Sequence, residues 1–155
     1  MEIIEVYSLT EGQVSDLRQL MSELTPDITV SAEMLENVVN ASGTHLFAAI
    51  DDGHIVGCAS LCVFDSPTGR KASVEDVVVL SSYRGNHIGK DLMEYLINYA
   101  SRNLGDVDLH LTSRPTRVAA NNLYRSLGFQ QCETNVYKLK IRESVVSHLN
   151  EFIEK

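Results

Sequence analysis

The chain has 155 residues and a mass of 17.2 kDa; it is 44% hydrophobic and 22% charged, with a formal charge of −8 and a pI near 5.0. That is the length of one domain with the composition of an ordinary globular protein, which excludes a disordered or collagen-like chain, and the acid excess argues against a general nucleic-acid binder, which needs a basic face. Its longest apolar runs, such as 55–63, are too short to span a bilayer, and the opening residues hold Glu2 and Glu5 with no basic residue, unlike a signal peptide.

Residues 2–7 read as a first strand. Thr10 then caps a helix whose apolar positions are Val14, Leu17, Leu20, Met21 and Leu24, with Pro26 beyond its end. Ser31 starts a second helix through Met34, Leu35, Val38 and Val39, closed near Gly43. Residues 45–50 and 54–64 read as strands, with Asp52-Gly53 between them as a hairpin turn signal. Ser66-Pro67-Thr68-Gly69 is another turn, so 70–80 should pair back antiparallel.

After a short loop comes a strong helix with Ile88, Leu92, Leu96 and Tyr99 on its stripe, widened by Met93 and Ile97. Residues 107–112 read as a strand. A helix from about Thr116 to Leu127 should bury Ala119, Ala120, Leu123 and Leu127, with Gly128 as its C′ residue. Residues 129–141 are expected to hold two short strands around Thr134-Asn135. The tail 143–155 reads as an amphipathic helix with Val145, Val146, Leu149, Phe152 and Ile153 on one side, docking on its own core or on a partner subunit. The expected fold is α/β (α+β): one domain over 1–155, a mixed and mostly antiparallel sheet flanked by helices, with parallel pairing where the helix after residue 88 crosses over.

Charge is unevenly spread. Between Arg70 and Arg125 there are eight Lys/Arg against six Asp/Glu; the remainder holds five against fifteen. The central stretch is therefore where an anionic ligand is best tolerated. The three cysteines are Cys58, Cys62 and Cys132. They form no C-x-x-C pair and no zinc spacing, so the expectation is three reduced thiols, no metal and a cytoplasmic location. His45, His54, His110 and His148 show no functional pairing.

The most informative segment is 74–90, VEDVVVLSSYRGNHIGK. A valine strand ends, a glycine-containing loop turns and a helix begins. The first turn of that helix offers free amides and the positive end of the helix dipole, a ready site for a phosphate or pyrophosphate. Gly85 and Gly89 leave room for close approach, and Arg84 and Lys90 add charge. A P-loop needs four residues between its glycines and a Ser or Thr after the lysine; here there are three, and Asp91 follows Lys90. No G-x-G-x-x-G is present either.

The pattern that fits is Q/R-x-x-G-x-G/A. Arg84, Gly85, Asn86, His87, Ile88 and Gly89 occupy its six positions, with His87 where glycine is usual. The loop resembles the acetyl-coenzyme A loop of the GNAT superfamily of N-acetyltransferases. A second element agrees: Ala120 to Phe129, AANNLYRSLGF from Ala119, looks like the superfamily's A-x-x-L-Y-x-x-x-G-F segment. The stretch VEDVVV…YRGNHIGK is also similar to glucosamine-6-phosphate N-acetyltransferases. The later segment departs from them, with Arg117 where an Asn usually stands, so the specific substrate is not carried over.

The resemblance implies direct transfer of acetyl from acetyl-coenzyme A, as co-substrate, to a primary amine of a small molecule or peptide. It implies that the amides of 85–89, helped by Arg84, hold the pyrophosphate. Backbone groups of Val77, Val78 and Val79 would bind the pantetheine arm like an added strand, one amide facing the thioester oxygen. Tyr124 is the candidate general acid, since a phenol and a leaving thiol have comparable proton affinity. Glu75 is the first candidate base, directly or through water, and Asp76 the second. His87 would contact phosphate or stand as an exposed cap. Arg114 and Arg117 would bind the cofactor 3′-phosphate, bind an anion on the acceptor, or stand as solvated charges. The acidic remainder would favour a cationic acceptor. Folds of this kind commonly dimerise through a helix or an edge strand, and a homodimer is compatible with the sequence. The rival reading is a coenzyme A-binding regulatory or scaffolding module without turnover.

Overall fold

The structure is a computed structural model and describes residues 1–142. Chain order gives β1 (Glu2–Glu5), α1 (Glu11–Leu24), α2 (Ala32–Asn40), β2 (Thr44–Asp51), β3 (His54–Ser66), β4 (Gly69–Val79), a 3₁₀ turn (Ser81–Tyr83), α3 (Ile88–Asn103), β5 (Leu109–His110) and α4 (Val118–Ser126). The five strands lie in sequence order in one sheet. The pairs from β1 to β4 are antiparallel. The β4–β5 pair is parallel, because α3 carries the chain across between them.

Local chemistry explains the element ends. Thr10 and Gln13 form a reciprocal capping box at the start of α1. The Ser31 side chain caps α2 through the Met34 amide. At the β2–β3 hairpin, Asp52 and Gly53 both take positive φ, 47° and 80°, the geometry the Asp-Gly signal demands.

Both faces of the sheet are covered. On one, Phe47, Val56, Leu61, Ala72 and Val74 pack against Ile88, Leu92, Met93 and Leu96 of α3 and Tyr124 of α4. On the other, Leu46, Ala48, Ile55, Cys58 and Val78 pack against Leu17, Leu20 and Met21 of α1 and Leu35 of α2. Gly57 lies where α3 crosses the sheet. A Cβ there would stand 3.2 Å from Leu92 Cδ1, 3.2 Å from the Val78 carbonyl and 3.3 Å from Ile88 Cγ2. A glycine in mid-strand thus lets the start of α3 sit close to the sheet.

Three expectations are corrected. The strand expected over 107–112 pairs only at Leu109 and His110, opposite Ala72 and Ser73. Further along, β4 carries a bulge, which bends a strand away from its neighbour. The two strands expected around Thr134-Asn135 do not form: 129–142 holds neither helix nor strand, and Val136, Tyr137 and Leu139 are 75%, 87% and 73% exposed. Their alternating pattern is strand-like, but a strand requires a partner edge, and none among the described residues reaches it. Ala119 is exposed, because α4 turns Ala120, Leu123, Tyr124 and Leu127 inward instead. The expected C-terminal helix falls on 143–155, outside the described residues.

Candidate active site

The site is built where β4 leaves the sheet. The ladder to β3 pairs Ser60 with Glu75 and Cys58 with Val78, so β4 carries one extra residue between them. Asp76 sits in this bulge with φ +49°. Beyond Ser73, β5 no longer pairs with β4. Leu80 donates to Val56 across the β3 side, and hydrogen-bonding direction alternates along a strand. Val78 therefore also faces β3, while Val77 and Val79 direct their backbone groups to the unpaired edge.

Both carbonyls on that edge are engaged by arginines. Arg117 Nη2 donates to the Val77 carbonyl at 3.3 Å, and Arg84 Nε donates to the Val79 carbonyl at 3.2 Å. By the same alternation the amides of Val77 and Val79 point to the side where β5 no longer pairs. An added strand can thus meet this edge through its own carbonyls, with the edge carbonyls available only if an arginine yields.

The loop that follows is held at both ends. Asn86 Nδ2 donates to the Tyr83 carbonyl at 3.0 Å, Tyr83 donates its hydroxyl to Asp51 at 3.1 Å, and Ile88 is buried in the core. Between these anchors Gly85 and His87 take positive φ, 84° and 61°. Left-handed residues set among right-handed ones are the backbone pattern that converges successive amides on an anion. The amides of Gly85, Asn86, His87, Ile88, Gly89 and Lys90 all lack a protein acceptor among the described residues; the first to find one is Asp91, on the His87 carbonyl. These six donors meet at the N-terminus of the 16-residue α3. Arg84 is oriented by Glu23 of α1, with Nη2 3.4 Å from its carboxylate, and Lys90 lies 3.6 Å from Glu94. A Cβ at Gly89 would meet only Leu123 and Val79, at 3.7 and 3.8 Å, so the fold accepts alanine there, as the loop pattern allows.

The candidate proton-transfer groups sit along the same strand. Glu75 is exposed and accepts from the Ser73 hydroxyl. Asp76 is exposed as well; desolvation of its carboxyl by the surrounding strand, then the Glu75 charge, raises it above the usual value. The bulge breaks the simple alternation expected for this pair. Tyr124 is 5% exposed, packed edge-on against Phe129 with ring centroids 6.1 Å apart. Burial raises its phenol, and the neighbouring Arg117 partly offsets this by charge and hydrogen bonding. Arg117, at the head of the helix that carries Tyr124, reaches the Val77 carbonyl, a contact the sequence reading missed. Arg84 and the 85–90 amides form the second group. Arg114 offers its carbonyl to Asn121 Nδ2 at 2.9 Å and is exposed.

Other residues have structural roles. Cys58 is buried, and desolvation pushes its thiol up to about 12, which removes it as a nucleophile. His45 pairs with Glu5 at 2.7 Å and His54 with Asp16 at 3.3 Å. Among the described residues no group of three or more His, Cys, Asp or Glu stands where it could hold a metal ion, and no helix is long and apolar enough to cross a membrane.

A strand edge that opens onto a row of free amides is suited to an extended ligand with an anionic end. Residues 13–129 match the Acetyltransferase (GNAT) family. The chain belongs to that family and is an acyltransferase. It is similar to a glucosamine 6-phosphate N-acetyltransferase of Trypanosoma brucei brucei, 33% identical over 138 residues, covering 84% of this chain and 91% of that protein. A putative acetyltransferase from Agrobacterium tumefaciens str. C58 superposes with a TM-score of 0.78 at 22% identity, covering 90% of this chain and 100% of that one. The aminoglycoside N-acetyltransferase AAC(6')-Iy, solved in complex with CoA, does so with a TM-score of 0.72 at 20% identity, covering 90% and 93%. At these identities the two structures speak for the fold.

Proposed function

We propose that this protein transfers the acetyl group of acetyl-coenzyme A to a primary amine by direct attack. The observation that carries this reading is the run of six amides, Gly85 to Lys90, without protein acceptors at the start of α3. They suit a pyrophosphate, and the outward-facing amides of Val77 and Val79 suit the carbonyls of a pantetheine arm laid along β4.

In the reaction the amine nitrogen forms a bond to the acetyl carbon and the carbon–sulfur bond breaks. The amine must arrive or become neutral, and Glu75 takes its proton directly or through water, with Asp76 as the second candidate. The departing thiolate needs a proton, and the Tyr124 phenol supplies it. Burial keeps that phenol protonated at neutral pH, the form an acid needs. The acceptor is a primary amine of a small molecule or a peptide. The relative's name puts a hexosamine phosphate first in the panel, and the acid-rich remainder of the chain adds polyamines, amino acids and peptide amines.

The test is calorimetry with coenzyme A followed by thiol release from acetyl-coenzyme A across that panel. Tyr124→Phe should lower kcat by roughly 10- to 1,000-fold with cofactor affinity nearly intact. Cofactor binding without thiol release on any amine would favour a non-catalytic module. No heat on adding coenzyme A would overturn both.

A further inference from the structure

We infer that residues 136–141 add as a β-strand to the outer edge of β5 in a second copy of this chain, so that two copies exchange these segments and form a dimer. The inference goes beyond the acetyl-transfer reading and stands without it.

The segment has the pattern of a strand and no place in its own chain. In Val136-Tyr137-Lys138-Leu139-Lys140-Ile141, alternation puts Tyr137, Leu139 and Ile141 on one face and Lys138 and Lys140 on the other. Tyr137, Leu139 and Ile141 are 87%, 73% and 60% exposed, and the backbone here is neither helix nor strand. Large apolar side chains gathered on one exposed face mark a contact surface. A chain that laid this segment on its own sheet would bury them.

A matching surface lies on the same molecule. β5 ends the sheet order, so its outer edge is open among the described residues. Beside it runs a groove of about 450 Å³ between β5 and α3, with Ile97 and Ala100 on the helix side and Val107 and Leu109 on the strand side; Asp106 and Asp108 border it too. Val107 and Leu109 turn toward the α3 core, and Asp106 and Asp108 between them are exposed. A strand added here with Tyr137, Leu139 and Ile141 over the groove carries Lys138 and Lys140 to the side of the two aspartates. The antiparallel register that sets Leu139 opposite Val107 pairs Lys138 with Asp108 and Lys140 with Asp106, favourable cross-strand neighbours. None of the four has an ion-pair partner among the described residues.

Charge also disfavours the simpler pairings. Two β5 edges would set aspartate against aspartate, and two 136–141 segments lysine against lysine. Each copy holds one segment and one edge, so reciprocal exchange about a two-fold axis satisfies both and closes at two chains.

Sedimentation equilibrium of the full chain should give twice the 17.2 kDa of one copy. Leu139→Asp should raise the dimer Kd roughly 100-fold, because it carries an unpaired charge into the groove. Leu139 is exposed in the single chain, so the variant should remain a folded monomer. Lys138→Glu with Lys140→Glu should weaken the dimer about 10-fold, Asp106→Lys with Asp108→Lys should do the same, and the four changes together should restore it. Restoration is a result that misfolding of a variant cannot imitate. A wild-type chain that sediments as a monomer even at roughly 100 μM overturns the inference. So does a dimer that survives Leu139→Asp, which would place the interface elsewhere, or a charge reversal that the reciprocal one fails to rescue.

Discussion

The departure of the loop from its pattern at His87 gives a sharp test of why that pattern holds glycine. His87 sits at φ +61°, ψ +11°, the left-handed region, as the N-cap of α3. Its side chain is exposed and makes no capping bond, so nothing in the structure offsets the conformation. A side-chain-bearing residue in that region costs about 1–2 kcal/mol. Glycine removes this cost but returns about 0.4–1 kcal/mol through its freer unfolded chain. His87→Gly should therefore stabilise the protein by about 0.5–1 kcal/mol, or a few degrees in Tm for a chain of this length. His87→Val should lose about 1 kcal/mol or more, because β-branched side chains tolerate positive φ worst. His87→Ala should lie between them.

The assay is urea unfolding of the series with equal m-values, since a changed slope would mean that more than local strain had altered. Coenzyme A affinity of His87→Gly, measured alongside, should be retained, because the loop contributes amides whatever residue stands there. The reasoning fails if His87→Gly is less stable than the parent, or if the glycine and valine variants unfold together.

Two further outcomes follow from the backbone. Gly43 has an ordinary φ, yet a Cβ on it would stand 2.6 Å from the Val63 carbonyl oxygen, and its own carbonyl accepts the Val63 amide at 2.7 Å. Gly43→Ala should cost about 1–3 kcal/mol in urea unfolding through overpacking. Asp76 ionises at its ordinary value of 3.8 when unfolded and at a higher pH when folded. As pH rises from 3.8 through the folded value, the unfolded state releases its proton first, so this group lowers stability over that window and keeps it lowered above it. Asp76→Asn should therefore unfold at higher urea than wild type at pH 7, the gap closing below pH 3.8; a gap that persists at pH 3 would mean burial of the charge is not its cause.

Most of the fold was legible because local signals and hydrophobic period agreed. Thr10, Ser31 and Asp52-Gly53 each marked an end that the backbone respects, and the stripe from Ile88 to Leu96 is buried as its spacing requires. The loop amides were legible for the same reason: strand, glycine and helix start follow one another within a few residues. What sequence could not supply was partnership across distance. The 136–141 alternation is a strand pattern without a partner among the described residues. Arg117 meets Val77 across forty positions, and a guanidinium at a helix start carries no sign of where it points. Gly57 did leave a sign, since glycine in a strand marks close approach.

The bulge left one as well. Ala72 and Val74 belong to the α3 face, and strict alternation would put Asp76 there next, as a carboxylate buried in the core. One extra residue at this point shifts the phase. Val77 and Val79 then pack toward α3 and Val78 toward α1, so three successive valines are all used. The charge at an interior phase position thus reads as the residue the core refuses. Its exclusion bends β4 from β5, and that departure leaves Val77 and Val79 unpaired on the outer edge. The carboxylate pair and the open edge are consequences of one slip in register, so a deletion that restored alternation would remove both at once.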